Sequence, residues 1–165
     1  MTAEKPQKLN IYTFLATLCG IGFIPVMPGT FGSLLAYGIY MLFSGSPFQG
    51  KALFYALPAL IVLCLIAIFL STKAEKTLGK DNGSIVIDEF CGYYVSVLFL
   101  PHNWLIGLYA FVLFRVFDIA KPFPIKKVQE LPGGWGVVTD DIIAGIYTNI
   151  LIQILTKIYP KFFGL

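Results

Sequence analysis

The 165-residue chain is 57% hydrophobic and only 13% charged, about half the roughly 25% Asp, Glu, Lys and Arg of an average soluble domain. So few polar side chains cannot cover a water-soluble globule of this size, and the same numbers exclude disorder. A net charge of +3 without a dense basic run argues against nucleic acid. It leaves one small integral membrane domain, residues 1–165, whose lysines meet anionic headgroups.

No charge occurs from residue 9 to residue 50, a stretch too long for one span and broken by F-I-P-V-M-P-G-T-F-G-S. Its prolines and glycines divide it into an interfacial or re-entrant element over residues 9–24 and a helix over 32–44. No small-x-small cleavage site follows Lys5 and Lys8, and Leu18 precedes Cys19, so the segment is expected to be retained. Residues 52–70 form the clearest span, followed by Lys73, Lys76 and Lys80. Further apolar runs cover 85–100, 104–117 and 142–156, with a tight turn at Pro101-His102-Asn103 and loop signals in K-P-F-P-I and P-G-G-W-G. The expected fold is an all-α polytopic bundle of four to five transmembrane helices plus the short N-terminal element. Cys19, Cys64 and Cys91 lie in apolar runs without C-x-x-C spacing and are expected to be buried, inert thiols, neither metal-bound nor paired.

This order sends the chain alternately to two faces. One face receives Lys73, Lys76, Lys80, Arg115, Lys121, Lys126 and Lys127, the other Lys51, Lys157 and Lys161. The positive-inside bias makes the first face cytoplasmic. Asp81, Asp88, Glu89, Asp118, Asp140 and Asp141 fall on that same face, at or just inside helix ends. Each has a bland explanation: turn chemistry at Asp81, capping at Asp140-Asp141, ion pairing of Asp118 with Arg115 or Lys121, a structural cluster at Asp88-Glu89. Their convergence beside the chain's single arginine outweighs those separate readings, because acids at membrane depth are costly.

Convergent carboxylates are hard oxygen donors that suit Mg²⁺, or Mn²⁺, over zinc. The P-G-T-F-G-S turn adds Thr30, Ser33 and free N–H groups at a helix start, an anion seat. Together they describe a metal-assisted phosphate site. Asp88, Glu89, Asp118, Asp140 and Asp141 are the candidate metal ligands. Lys121, Arg115, Thr30 and Ser33 are the candidate phosphate binders, and Asp88, Glu89, Asp118, Lys121 and Asp141 the candidate catalytic set. Other phosphatase chemistries lack their residues: His102 is alone and on the opposite face, and C-x5-R, D-x-D, Walker-type and D-G-x2-A-R signatures are absent. A cation- or proton-coupled transporter is the rival class, but it predicts acids near mid-helix and pseudo-repeated halves. A non-catalytic assembly subunit leaves the P-G-T-F-G-S turn without a purpose.

The blocks P-G-T-F-G-S, N-G-S-I-V-I-D-E-F-C-G, F-R-V-F-D-I-A-K-P-F-P-I and V-T-D-D-I-I-A-G resemble the phosphatidylglycerophosphatase A family from about residue 9 to residue 155. Ile87 stands where an aromatic, and Asn82 where a histidine, is common in that pattern. The resemblance implies a Mg²⁺-dependent inner-membrane enzyme that converts phosphatidylglycerophosphate to phosphatidylglycerol. It leaves open whether an activated water attacks directly or an aspartate is phosphorylated first.

Overall fold

The computed structural model describes residues 10–43 and 50–165, and among these every regular element is helical. Helix α1 (Ile11–Ala16) is six residues long and capped by the Asn10 side chain. Left-handed residues Leu18, Cys19 and Gly20 then lead into a single 3-10 turn over Ile21–Phe23. The N-terminal element is thus short and broken; residue 9 lies outside the described part. The turn also exposes Cys19, which corrects the expectation of a buried thiol there; Cys64 is half-buried, Cys91 is buried, and all three are free.

Helix α2 (Pro28–Met41) begins four residues before the expected start. Pro28 takes the first helical position, where a missing N–H costs nothing; the expected end at residue 44 lies outside the described residues. Helix α3 (Leu53–Leu78) continues past residue 70 through Lys73, Glu75 and Lys76, and Gly79 ends it at φ 103°. The apolar run stops at residue 70, but the helix does not.

Helix α4 (Ile87–Ser96) covers only ten residues of the expected 85–100 stretch. Asn149 explains the early stop. Its Nδ2 donates to the Ser96 and Leu98 carbonyls at 3.1 and 2.6 Å, satisfying groups that lipid could not. Helix α5 (Trp104–Ala120) starts at the Asn103 cap and passes residue 117 to end at Lys121, which takes the left-handed cap conformation. After the short α6 (Ile125–Val128), helix α7 (Gly134–Ile158) begins eight residues before the expected position. Thr72 Oγ1 accepts the Gly134 N–H at 2.9 Å, so the last three residues of what reads as a P-G-G-W-G loop are helix capped from α3.

Helices α4 and α7 run parallel and form the most extensive helix–helix contact among the described residues. A Cβ on Gly92 would lie 2.8 Å from the Asp141 carbonyl oxygen, and one on Gly145 would lie 2.5 Å from the Gly92 carbonyl oxygen. Small residues let two backbones touch in this way. At one end of the bundle, Asn103 Nδ2 donates to the Phe163 carbonyl at 2.8 Å and Tyr40 meets the Pro101 turn. The starts of α2, α4 and α7 and the end of α5 lie at the opposite end, as the alternating order of spans predicts.

Polarity is inverted relative to a soluble protein. Ser96, Thr148 and Asn149 are buried, while Val112, Val116 and Ile119 on α5 and Ile146, Ile150, Ile154 and Ile158 on α7 form exposed apolar stripes one turn apart. Such stripes suit a lipid solvent. Gly50–Leu78 and Gly134–Ile158 are each long and apolar enough to cross a bilayer. At 14, 10 and 17 residues, α2, α4 and α5 are shorter than the ~20 of a full crossing.

Candidate active site

Four helices deliver the site. Asp88 and Glu89 occupy the first turn of α4, Arg115 and Asp118 the last two turns of α5, and Asp140 and Asp141 the second turn of α7. This corrects the expectation that Asp140-Asp141 open a helix. Because α7 starts at Gly134, neither is a cap, and both are buried. Asp88 stands four residues before Gly92, and Asp141 four residues before Gly145. In two parallel helices that touch at those glycines, residues one turn earlier must face each other. The same D-x3-G spacing in two blocks is the sequence signal of this pairing. Gly29, in the first turn of α2, backs onto the cluster: a Cβ there would overlap Glu89 Oε1 and approach Arg115 Nη1 to 3.0 Å.

Arg115 Nη1 lies 2.6 Å from Asp118 Oδ2 and 3.6 Å from Glu89 Oε1. Lys121 Nζ donates to Asp140 Oδ2 at 2.5 Å, not to Asp118, because the left-handed cap turns Lys121 away from the α5 surface. Burial works against the Lys121 charge, but the Asp140 hydrogen bond and the charges of Asp140, Asp118 and Asp141 outweigh it. The ammonium is therefore held above the ordinary lysine range. Arg115→Ala strips the cation from between two largely buried carboxylates and is expected to cost about 3–5 kcal/mol. Thermal unfolding in detergent reads this as a lower Tm; an unchanged Tm would show that Glu89 and Asp118 do not depend on the guanidinium.

Oxygens of Asp88, Glu89 and Asp141 lie within 4.8 Å of one another, and so do oxygens of Asp118, Asp140 and Asp141. All five expected ligands are therefore brought together. The donor set is purely carboxylate, which fits Mg²⁺ or Mn²⁺. Asp88 Oδ1 and Glu89 Oε2 are buried without a hydrogen-bond partner, an arrangement that is expensive unless a cation takes them up. Thr30 Oγ1 is also buried and unpartnered, and Arg115 keeps Nε and Nη1 free of any aligned acceptor. Ser33 differs from the expectation: its hydroxyl donates to the Gly29 carbonyl at 2.9 Å inside α2 and is fully buried, so it has no donor left for phosphate. His102 stays at the far end, its Nε2 2.9 Å from the Tyr40 carbonyl oxygen.

Residues 14–156 match the family described as Phosphatidylglycerophosphatase A. The chain belongs to the phosphatidylglycerophosphatase A family. Two proteins that carry the family's name, from Escherichia coli K12 and Haemophilus influenzae Rd, are 35% and 38% identical to it over 154 and 161 residues. Each alignment covers 92% of this chain, and 87% and 95% of the relative. A Bacteroides thetaiotaomicron protein named "Putative phosphatidylinositol-3-phosphatase" is 40% identical over 157 residues, covering 92% of this chain and 96% of its own. No solved structure gives a significant match. Membership in the phosphatidylglycerophosphatase A family makes the chain a lipid phosphatase and a membrane protein. The two departures from the family pattern lie outside the carboxylate cluster. Asn82 closes a turn, donating to the Leu78 carbonyl and accepting the Ser84 N–H at 2.9 Å each, and Ile87 packs in the core.

Proposed function

We propose that the protein is a polytopic inner-membrane enzyme that hydrolyses phosphatidylglycerophosphate to phosphatidylglycerol and phosphate, with Mg²⁺ at the carboxylate cluster and its active face toward the cytoplasm. The observation that carries this reading is the meeting of five carboxylates from three helices beside Arg115 and Lys121, with buried carboxylate oxygens left unpartnered. Asp88, Glu89, Asp118, Asp140 and Asp141 would hold the cation. A divalent ion there supplies Lewis-acid stabilisation of the phosphoryl oxygens and makes a nearby water more acidic. Lys121 and Arg115 draw the phosphate into an otherwise anionic cluster, and Arg115 can still offer Nε. The Thr30 hydroxyl and the positive end of α2 bind a further oxygen. Gly29 lets that helix end approach, since any side chain there would collide with Glu89. The acyl chains need no closed pocket: the Val112, Val116 and Ile119 stripe on α5 ends beside Asp118 and leaves them in the bilayer.

The test is phosphate release by the purified protein from phosphatidylglycerophosphate and, separately, from phosphatidylinositol 3-phosphate, with and without chelator. Release from the first substrate, lost on chelation and restored by Mg²⁺, is the expected result. Release only from the inositol lipid would move the substrate assignment. Activity that survives exhaustive chelation would remove the metal.

A further inference from the structure

We propose that the carboxylate cluster holds two divalent cations, not one, with Asp141 as the ligand shared between them. The inference rests on the divalent-cation reading above and deepens it. Two groups of three carboxylates each bring their oxygens within 4.8 Å, and Asp141 is the member common to both. Paired ions stand ~3.5–4 Å apart in phosphoryl-transfer sites, a separation that one shared carboxylate, with an oxygen to each ion, can span. Asp141 is 2% and Asp88 7% exposed, so neither charge can be left to water. Asp88 Oδ1 and Glu89 Oε2, both in the first triad, are buried without partners.

Charge points the same way. The five carboxylates face two cations, Arg115 and Lys121. One divalent ion leaves the cluster negative, which repels a phosphate monoester dianion; two leave it positive, which attracts one. The two positions are unequal. Asp118 and Asp140 are already engaged by Arg115 and Lys121, so the Asp118–Asp140–Asp141 position binds more weakly. The position with the unpartnered oxygens, Asp88–Glu89–Asp141, fills first.

Mn²⁺ titration of the full chain in detergent, followed by electron paramagnetic resonance, tests this without any turnover. The expected result is two Mn²⁺ per chain in two steps, with a spin-coupled signal appearing in the second step. Asp118→Asn should lose the second step and the coupling but keep the first ion. Asp141→Asn should lose the coupling altogether. Saturation at one ion, or two ions without coupling, overturns the pair while leaving a single-cation site standing. No binding at all overturns both. Two coupled ions in Asp118→Asn overturn the assignment of that triad. Thermal unfolding of each variant confirms that it is folded; should Asp118→Asn not fold, stoichiometry and coupling in the unmodified chain decide.

Discussion

Asp141→Asn is expected to lower phosphate release from phosphatidylglycerophosphate by about a thousandfold, equivalent to about 4 kcal/mol on the barrier. Asp141 belongs to both carboxylate groups and is the most deeply buried of the acids, so its loss removes a donor that no water or neighbouring side chain replaces. Asparagine keeps the shape and removes the charge. Packing against α4 therefore survives, and relief of repulsion among the remaining acids should leave the Tm unchanged or raised. Phosphate release and thermal unfolding together separate the two effects. Asp81→Asn is the matching control. Asp81 sits on an exposed turn, hydrogen-bonded to Gln129 at 2.6 Å, and its variant should retain activity within about twofold. An Asp141→Asn enzyme within tenfold of the unmodified rate would exclude Asp141 from the site.

Gly145→Ala should damage both stability and activity, although alanine is the better helix former by about 1 kcal/mol. The added Cβ would lie 2.5 Å from the Gly92 carbonyl oxygen and 3.0 Å from Val95 Cβ. The first of these is backbone and cannot swing away. Overpacking of this kind costs about 1–3 kcal/mol, enough to reverse the gain in propensity. The consequence for chemistry is larger, because α4 and α7 carry Asp88 and Asp141 one turn above the contact. A displacement of about 1 Å between catalytic groups can cost on the order of a hundredfold in rate. Gly38→Ala in α2 gives the contrast, since nothing lies within 4 Å of its added Cβ and propensity alone should stabilise it. Hydrolysis rates and Tm values for the two variants decide the matter. Equal behaviour at both positions would mean that the α4–α7 contact does not set the site.

Much of this arrangement is legible in the residues, and what is not has identifiable causes. The apolar runs locate the helices because burial in lipid is written in composition. Their ends do not follow, since S-T-K-A-E-K-T-L is a good helix sequence that continues α3 after the apolar signal has ceased. The start of α7 is hidden for the opposite reason. Gly134 and Gly136 look like loop residues, but they are small because α3 and the 129–131 segment press against them. That hidden start is what turns Asp140 and Asp141 from caps into buried acids. The early end of α4 depends on Asn149, a partner more than fifty residues away that no local pattern reveals. The gathering of acids at one face follows from counting crossings. Which cation meets which acid turns on the backbone of Lys121, whose φ of 42° sends its ammonium to Asp140.

The length of α5 bears on the membrane itself. Its seventeen residues rise about 25 Å, against about 39 Å for the twenty-six of α3. A bilayer with about 30 Å of hydrocarbon would therefore meet a tall wall at α3 and a lower one at the exposed Val112–Val116–Ile119 stripe of α5. Tilting of α3 and thinning of the leaflets beside α5 would relieve such a mismatch. Thinning there would lower the headgroup layer toward the end of α5 that carries Arg115 and Asp118. A lipid drifting along that wall would then bring its phosphate down to the depth of the buried carboxylates without leaving the plane of the membrane.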